Sequence, residues 1–320
     1  MARRKAQRRK AHTSGMMRLK FNFPTASNPS GSSTQFIDLA QSLSLASRRF
    51  YRQGMCYNVV GFEVISTASS GTGFVTVSSV PTTWVASGSW QKSFSMWNKM
   101  NDAALDIDPS IKPKFHDFKH YLDEAHMNAQ SAPGESDGNL IPYHYAGQAA
   151  EWDYSKIQIP NNTGPGGTTQ YVLHMVGADD PASKSMIQGY AESRAVPFSP
   201  DPEIQNPSTG WMNRLFDEGD NLTEITNVLE DDNDELPYDQ DGYIGGATIA
   251  PFAQILGEGL ITPTTVGGET WINGGLAYSG LLRIDNDLTG DAVDSGVDLI
   301  VYLSPGNYKG IDAVPMQGVN

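Results

Sequence analysis

MCYNVVGFEVIS, residues Met55–Ser66, and GFVTVSSV, residues Gly73–Val80, are rich in the β-branched and aromatic side chains that suit a pleated, half-buried surface. Ser and Gly separate them, so both are expected as strands and as neighbours in a hairpin. VDLIVYL, residues Val297–Leu303, is a further strand with apolar neighbours on both faces. Working outward, Arg18–Phe23 (RLKFNF) alternates polar and apolar residues, as a first short strand would. Phe36–Ala46 alternates in part, with Ile37, Leu39, Gln41, Leu43 and Leu45 as its inward set, and reads as a strand. Tyr154–Pro160 and Gln170–Val176 flank a Gly/Pro/Thr turn at Asn161–Gly167. Tyr243–Ala250, Thr270–Ile272 and Tyr278–Asp285 complete the strand set.

Helical spacing interrupts this pattern once. Trp90, Phe94, Trp97 and Asn101 or Ala104 fall on one face from Ser89 onward, until Pro109 and Pro113 break the run. Lys114–Ala125 follows as a second helix, with Phe115, Phe118, Tyr121 and Leu122 on one side. A helical insertion over about residues 89–126 is therefore expected. Lys184–Arg194, Trp211–Phe216 and Leu222–Leu229 are shorter helix candidates. Many short strands joined by Gly/Pro turns indicate an all-β antiparallel sandwich.

The bulk composition agrees. Charged residues make up 18% of the 320, and there are 32 glycines, which suits strands and turns better than helix bundles. No run of eighteen apolar residues exists, so no membrane partner is expected. The first residues lack the apolar run of a secretory signal. Cys56 is the single cysteine, which fits a reducing compartment.

The charges are segregated. Met1–Lys20 (MARRKAQRRKAHTSGMMRLK) holds Arg3, Arg4, Lys5, Arg8, Arg9, Lys10, Arg18 and Lys20 and no acidic residue. The net charge is −14, so the remaining 300 residues balance at −22, with 14 basic and 36 acidic groups. Residues 1–20 are too poor in apolar surface to offset their ordering entropy, and a disordered arm is expected ahead of a domain over residues 21–320. Clustered Arg and Lys on a flexible arm neutralise phosphates, so these eight residues are the expected nucleic-acid contacts. A nuclear-localisation signal is the competing reading, and the two roles can coexist.

A basic arm ahead of a β sandwich is a combination found in coat proteins of small icosahedral viruses. The chain resembles capsid proteins of small circular, Rep-encoding single-stranded DNA viruses, in the environmental and gut-derived group related to circoviruses and smacoviruses. The matching segments are the RRK-rich start, SFSMWNKMND, KFHDFKHYLDEAH, EWDYSKIQIP, YVLHMVGADDPASKSMIQGY with SRAVPFSPDP, DEGDNLTEI with DDNDELPYDQDGYIGGAT, and YLSPGNYKGIDAVPMQ. The resemblance implies a single jelly roll that self-assembles into an icosahedral shell around single-stranded DNA, with no enzymatic activity and no cofactor. It implies residence in the virion, with passage through the host nucleus during assembly. Sixty copies would bring about 480 arm charges against roughly 2000 phosphates, and 180 copies about 1440. Charge therefore favours the larger shell and family analogy the smaller. The coat of a small RNA virus and a cellular nucleic-acid-binding β protein are the alternatives.

Other chemistry is weaker. His116, His120 and Glu124 fall at i, i+4 and i+8 of the second helix candidate, with His126 beyond, a spacing that can hold zinc. HDFKHYLDEAH matches the three-His spacing of the metzincin signature, but Asp117 replaces its general-base Glu and Asp123 its Gly. A solvated polar face opposite Phe115, Phe118 and Leu122 is preferred, and no metal site is assigned. Asp217–Asp241 carries eleven acidic residues and no basic one. It offers oxygens for calcium, but the EF-hand pattern fails at Pro237, and an exposed acidic loop is preferred. Asp285, Asn286, Asp287 and Asp291 are read the same way. Cys56 lies in a strand candidate and reads as a buried small apolar group. Trp84, Trp90 and Trp97 could stack on bases, and are read as core or interface anchors.

Overall fold

Met55–Ser66 and Gly73–Val80 are both strands in the computed structural model, but they do not pair with each other. The structure describes residues 16–23, 32–66, 72–111, 117–148, 151–161, 167–195, 243–248, 250–262, 268–288 and 297–319. In chain order these hold β1 (Met17–Phe23), β2 (Ser32–Asp38), α1 (Leu39–Ser47), β3 (Met55–Ser66), β4 (Gly73–Val80), α2 (Trp84–Ile107) and α3 (Glu124–Asn128). There follow β5 (Lys156–Pro160), β6 (Thr168–His174), β7 (Ser183–Ser185), α4 (Met186–Ala195), β8 (Gln254–Ile261), β9 (Glu269–Asn273), β10 (Leu276–Leu288) and β11 (Val297–Leu303). The molecule is mostly β, built on a large antiparallel sheet with few helices.

The ladders nest. The first strand pairs with the last long one, β1 with β11; then β2 with β10, β3 with β9, and β4 with β8, all antiparallel. β11 also pairs with β3, and β10 with β4. Two four-stranded layers result, β1-β11-β3-β9 and β2-β10-β4-β8. They join where Leu276 and Ala277 of β10 pair with Asn58 and Tyr57 of β3. The expected hairpin of β3 and β4 is thus corrected, because each finds its partners late in the chain and they lie in opposite layers. Leu19, Phe21, Phe23, Val64, Val75, Val77, Ile284, Leu299 and Val301 project into the core between the layers. Alternation places Arg18, Lys20 and Asn22 of β1 on the outer face.

Three other expectations change. Residues 36–46 are half strand and half helix: Asp38 ends β2 and its carboxylate accepts from the N–H groups of Ala40 and Gln41, capping α1. The partial alternation of Leu39–Leu45 is borne by a helix buried on most sides. Lys114–Ala125 is not a helix within the described residues, since 117–120 has no regular secondary structure and the short helix begins only at Glu124. Tyr243 to Ala250 is turn and bend where described. The candidates Trp211–Phe216 and Leu222–Leu229 lie outside the described residues.

The insertion is larger than expected. It runs from the end of β4 to the start of β8, opens with α2 capped by the Thr83 hydroxyl, and includes a three-stranded sheet, β5-β6-β7. Trp90, Trp97, Phe118, Ile157, Leu173 and Ile187 form its core, in which Phe94 stacks on Trp90. Lys184–Arg194 is borne out as α4, preceded by the short β7.

Candidate nucleic-acid interface

Arg3, Arg4, Lys5, Arg8, Arg9 and Lys10 lie outside the described residues. Arg18 and Lys20 belong to β1, so strand structure begins at Met17, inside the expected arm. β1 occupies the rim of its layer, with β11 on one side. Lys20 Nζ lies 2.6 Å from Asp298 Oδ2, and Asn22 donates to the other oxygen of the same carboxylate at 2.9 Å. Arg18 stands opposite Tyr302, whose hydroxyl donates to Glu63. That hydrogen bond, first among the causes, holds the Tyr302 phenol above its ordinary range, while Arg18 pulls the other way. The two cations nearest the body therefore have anionic or hydroxyl neighbours on the strand beside them.

The histidines are in the core. His116 lies outside the described residues. His120 is fully buried: Nδ1 donates to the Tyr121 carbonyl at 2.9 Å, which leaves Nε2 to accept from the Ser279 hydroxyl at 2.9 Å. His126 is 1% exposed; the Leu122 N–H donates to its Nδ1, so Nε2–H donates to Asn139 Oδ1 at 2.7 Å. Burial pushes both imidazoles down to about 4. The preferred solvated face is thus corrected, because residues 117–120 are not helical and both rings are buried with hydrogen-bond partners for their nitrogens. Among the described residues no three His, Cys, Asp or Glu side chains gather as a metal would require. The acidic stretch Asp217–Asp241 and Asp291 lie outside the described residues. Asp285 is bound by Arg283 at 2.9 Å and by the Thr34 hydroxyl at 2.6 Å.

Cys56 is buried beside Val80, Tyr278 and Met316, and burial pushes its thiol up to about 12, as suits a small apolar group. Trp90 and Trp97 are core residues, whereas Trp84 is 39% exposed.

One feature escaped the sequence reading: Arg48-Arg49-Phe50-Tyr51-Arg52, three cations interleaved with two aromatics just after α1. Arg48 takes the left-handed conformation that ends the helix, φ 54°, and donates to Gln148 at 2.7 Å. Lys309 joins the group with its ammonium 5.2 Å from the ring centres of both Tyr51 and Tyr308. Burial lowers the Lys309 ammonium's pKa, and the neighbouring Arg52 and Arg49 lower it further. No protein-family model, curated protein or solved structure matches this chain.

Proposed function

We propose that this chain is the coat subunit of a small circular single-stranded DNA virus, a jelly roll that assembles into a closed shell and gathers its genome through residues 1–20. The observation that carries the proposal is the nested pairing of eight strands into layers β1-β11-β3-β9 and β2-β10-β4-β8. Such nesting supports a reading as a jelly roll, an arrangement frequent in viral coats. The basic segment leads directly into β1 at the rim of one layer. A flexible cationic arm joined to a rigid wall can reach phosphates that an acidic body repels.

Contacts between copies have a candidate surface. Phe74 and Leu260 face each other across β4 and β8, 55% and 49% exposed, with Ile255 at 55% farther along β8. Exposed apolar side chains on a sheet rim favour symmetric burial against another copy, although Glu258 separates Ile255 from the Phe74–Leu260 pair.

Electron microscopy of the purified full chain, with and without nuclease treatment, tests the proposal. Uniform closed particles that protect DNA are expected. Particles holding RNA would favour the coat of an RNA virus. A monomer that binds DNA but forms no particle across salt, pH and calcium would favour a cellular nucleic-acid-binding protein and overturn the coat assignment.

A further inference from the structure

We propose that the body carries a second nucleic-acid site, a cavity between α1 and α2 that receives a base of single-stranded DNA while Arg48 and Arg49 hold its phosphates. The cavity measures about 950 Å³ and lies between the end of α1, the second half of α2 and residues 151–156. That volume is at the upper end of small-molecule sites and admits a nucleotide. Phe50, half-buried, is the most accessible aromatic side chain of the lining; Trp97 and Trp152 also line it, at 7% and 6% exposure. Rings of this kind bind bases with little regard to sequence, because every base has a π face.

Charge sets the orientation. The lining holds Arg48, Arg49, Lys119 and Lys156 against Asp117, Glu151 and Asp153. Arg48 and Arg49 are exposed at the α1 end, next to the Arg52 and Lys309 group. Six of the 14 basic residues of an otherwise acidic body therefore gather at one place. The carboxylates of the lining repel a phosphate, whereas a base edge offers amino donors. Asp117 Oδ2 is buried without a hydrogen-bond partner, although Arg52, Lys119 and Lys309 act on the carboxylate through their charges. Phosphate outside on the arginines and base inside is the arrangement that satisfies both sets.

The cavity is also connected to the root of the arm. The Lys20 ammonium lies 5.9 Å from the Tyr143 ring centre, Tyr145 donates to the Ala46 carbonyl at 3.2 Å, and Arg48 donates to Gln148. One loop, residues 143–148, thus spans from β1 to the end of α1, giving a strand gathered by the arm a path to the arginines. The inference rests on the nucleic-acid part of the proposed function and not on the shell.

Ultraviolet crosslinking of the full chain to a bromodeoxyuridine-substituted oligonucleotide, followed by peptide mapping, tests it. Adducts are expected on peptides containing Phe50, Trp97 or Trp152, besides any on the arm. Arg48→Asn with Arg49→Ala should lose the body adducts and reduce the salt slope by about 1.4, two phosphates at roughly 0.7 each. Asn suits the left-handed position 48. Phe50→Leu keeps apolar bulk and should lower the adduct yield about tenfold with the slope unchanged, separating stacking from charge. Adducts confined to residues 1–20, with the slope of the double variant unaltered, would overturn the inference. So would a synthetic peptide of residues 217–241 that binds the wild-type chain but not the double variant while no body adduct forms, since the occupant would then be an acidic protein segment. Micrographs of the same samples keep the two proposals apart. Body adducts without particles sink the shell and leave the cavity site standing; particles without body adducts do the reverse.

Discussion

At the scale of single residues, stability is concentrated in buried polar groups. The Asp38 carboxylate is fully buried and takes hydrogen bonds from the N–H groups of Ala40 and Gln41, from Gln53 at 3.0 Å and from the Trp152 indole at 2.8 Å. It ties β2, α1 and the insertion together, and burial raises its pKa despite these donors. Asp38→Ala removes the acceptor shared by these donors and should cost about 3 kcal/mol, measured by urea unfolding. His120 and His126 work in the opposite direction with respect to acid. Their folded values, about 4, lie below the ordinary 6.5, so the unfolded chain takes up protons first. Their contribution is full above about pH 6.5, falls as the pH drops toward 4, and changes no further below that. By pH 5 each should cost about 2 kcal/mol. The urea midpoint should therefore drop between pH 7 and pH 5, and drop less in His126→Gln; an equal drop would show that other groups carry the acid sensitivity.

At the scale of elements, β10 does two jobs by breaking its own regularity. Its ladder with β4 shifts between Tyr278 and Leu282, with Ser279 at φ 56° and Gly280 at φ 65°. This bulge lets the strand leave β3 in one layer and join β2 and β4 in the other, and it aims the Ser279 hydroxyl at His120. A side chain at 280 would meet the buried Tyr57 ring at 2.8 Å. Gly280→Ala should thus cost about 2 kcal/mol or more, read as a lower thermal midpoint. β3, β4 and β11 were legible in the sequence because their β-branched density leaves little else for them to be. α1 was misread because LAQSLSLAS alternates in polarity by coincidence, while the signal that decides it, Asp38 as cap, is a single residue. β8, QILGEGLI, was missed because two glycines thin its pattern; Gly257 and Gly259 are there because Ile272 packs where their side chains would be. The basic segment at residues 1–20 stands out in the sequence by charge alone, and most of it lies outside the described residues. The cavity was not legible, because Arg48, Lys119, Lys156 and Lys309 meet only after folding.

For the whole molecule, the proposed shell and the proposed packaging separate by mutation. Leu260→Glu puts a charge in the patch shared with Phe74, at a site exposed in the isolated subunit. It should abolish particles and leave the thermal midpoint of the subunit within about 1 °C, since exposed substitutions cost little. Deleting residues 1–10 removes six of the eight arm charges. The ladders, which begin at Met17, should still form, and the particles should be empty. The salt slope of single-strand binding should fall by about 4, six phosphates at roughly 0.7 each. Filter binding across a salt series measures this, and an unchanged slope would reduce the arm to an address label.

The nested ladders also impose an order in time. A ribosome makes the cationic segment long before the strand beside it: Met17 has no ladder partner until Leu303 exists. Every inner pair must likewise wait, β4 for β8 across the insertion, and such distant closures are slow. β1 thus has no β11 to pair with in the growing chain until residues 297–303 have been made. Under the proposed function, a chain interrupted before residue 297 would carry its cationic segment with no β11 for β1 to pair with.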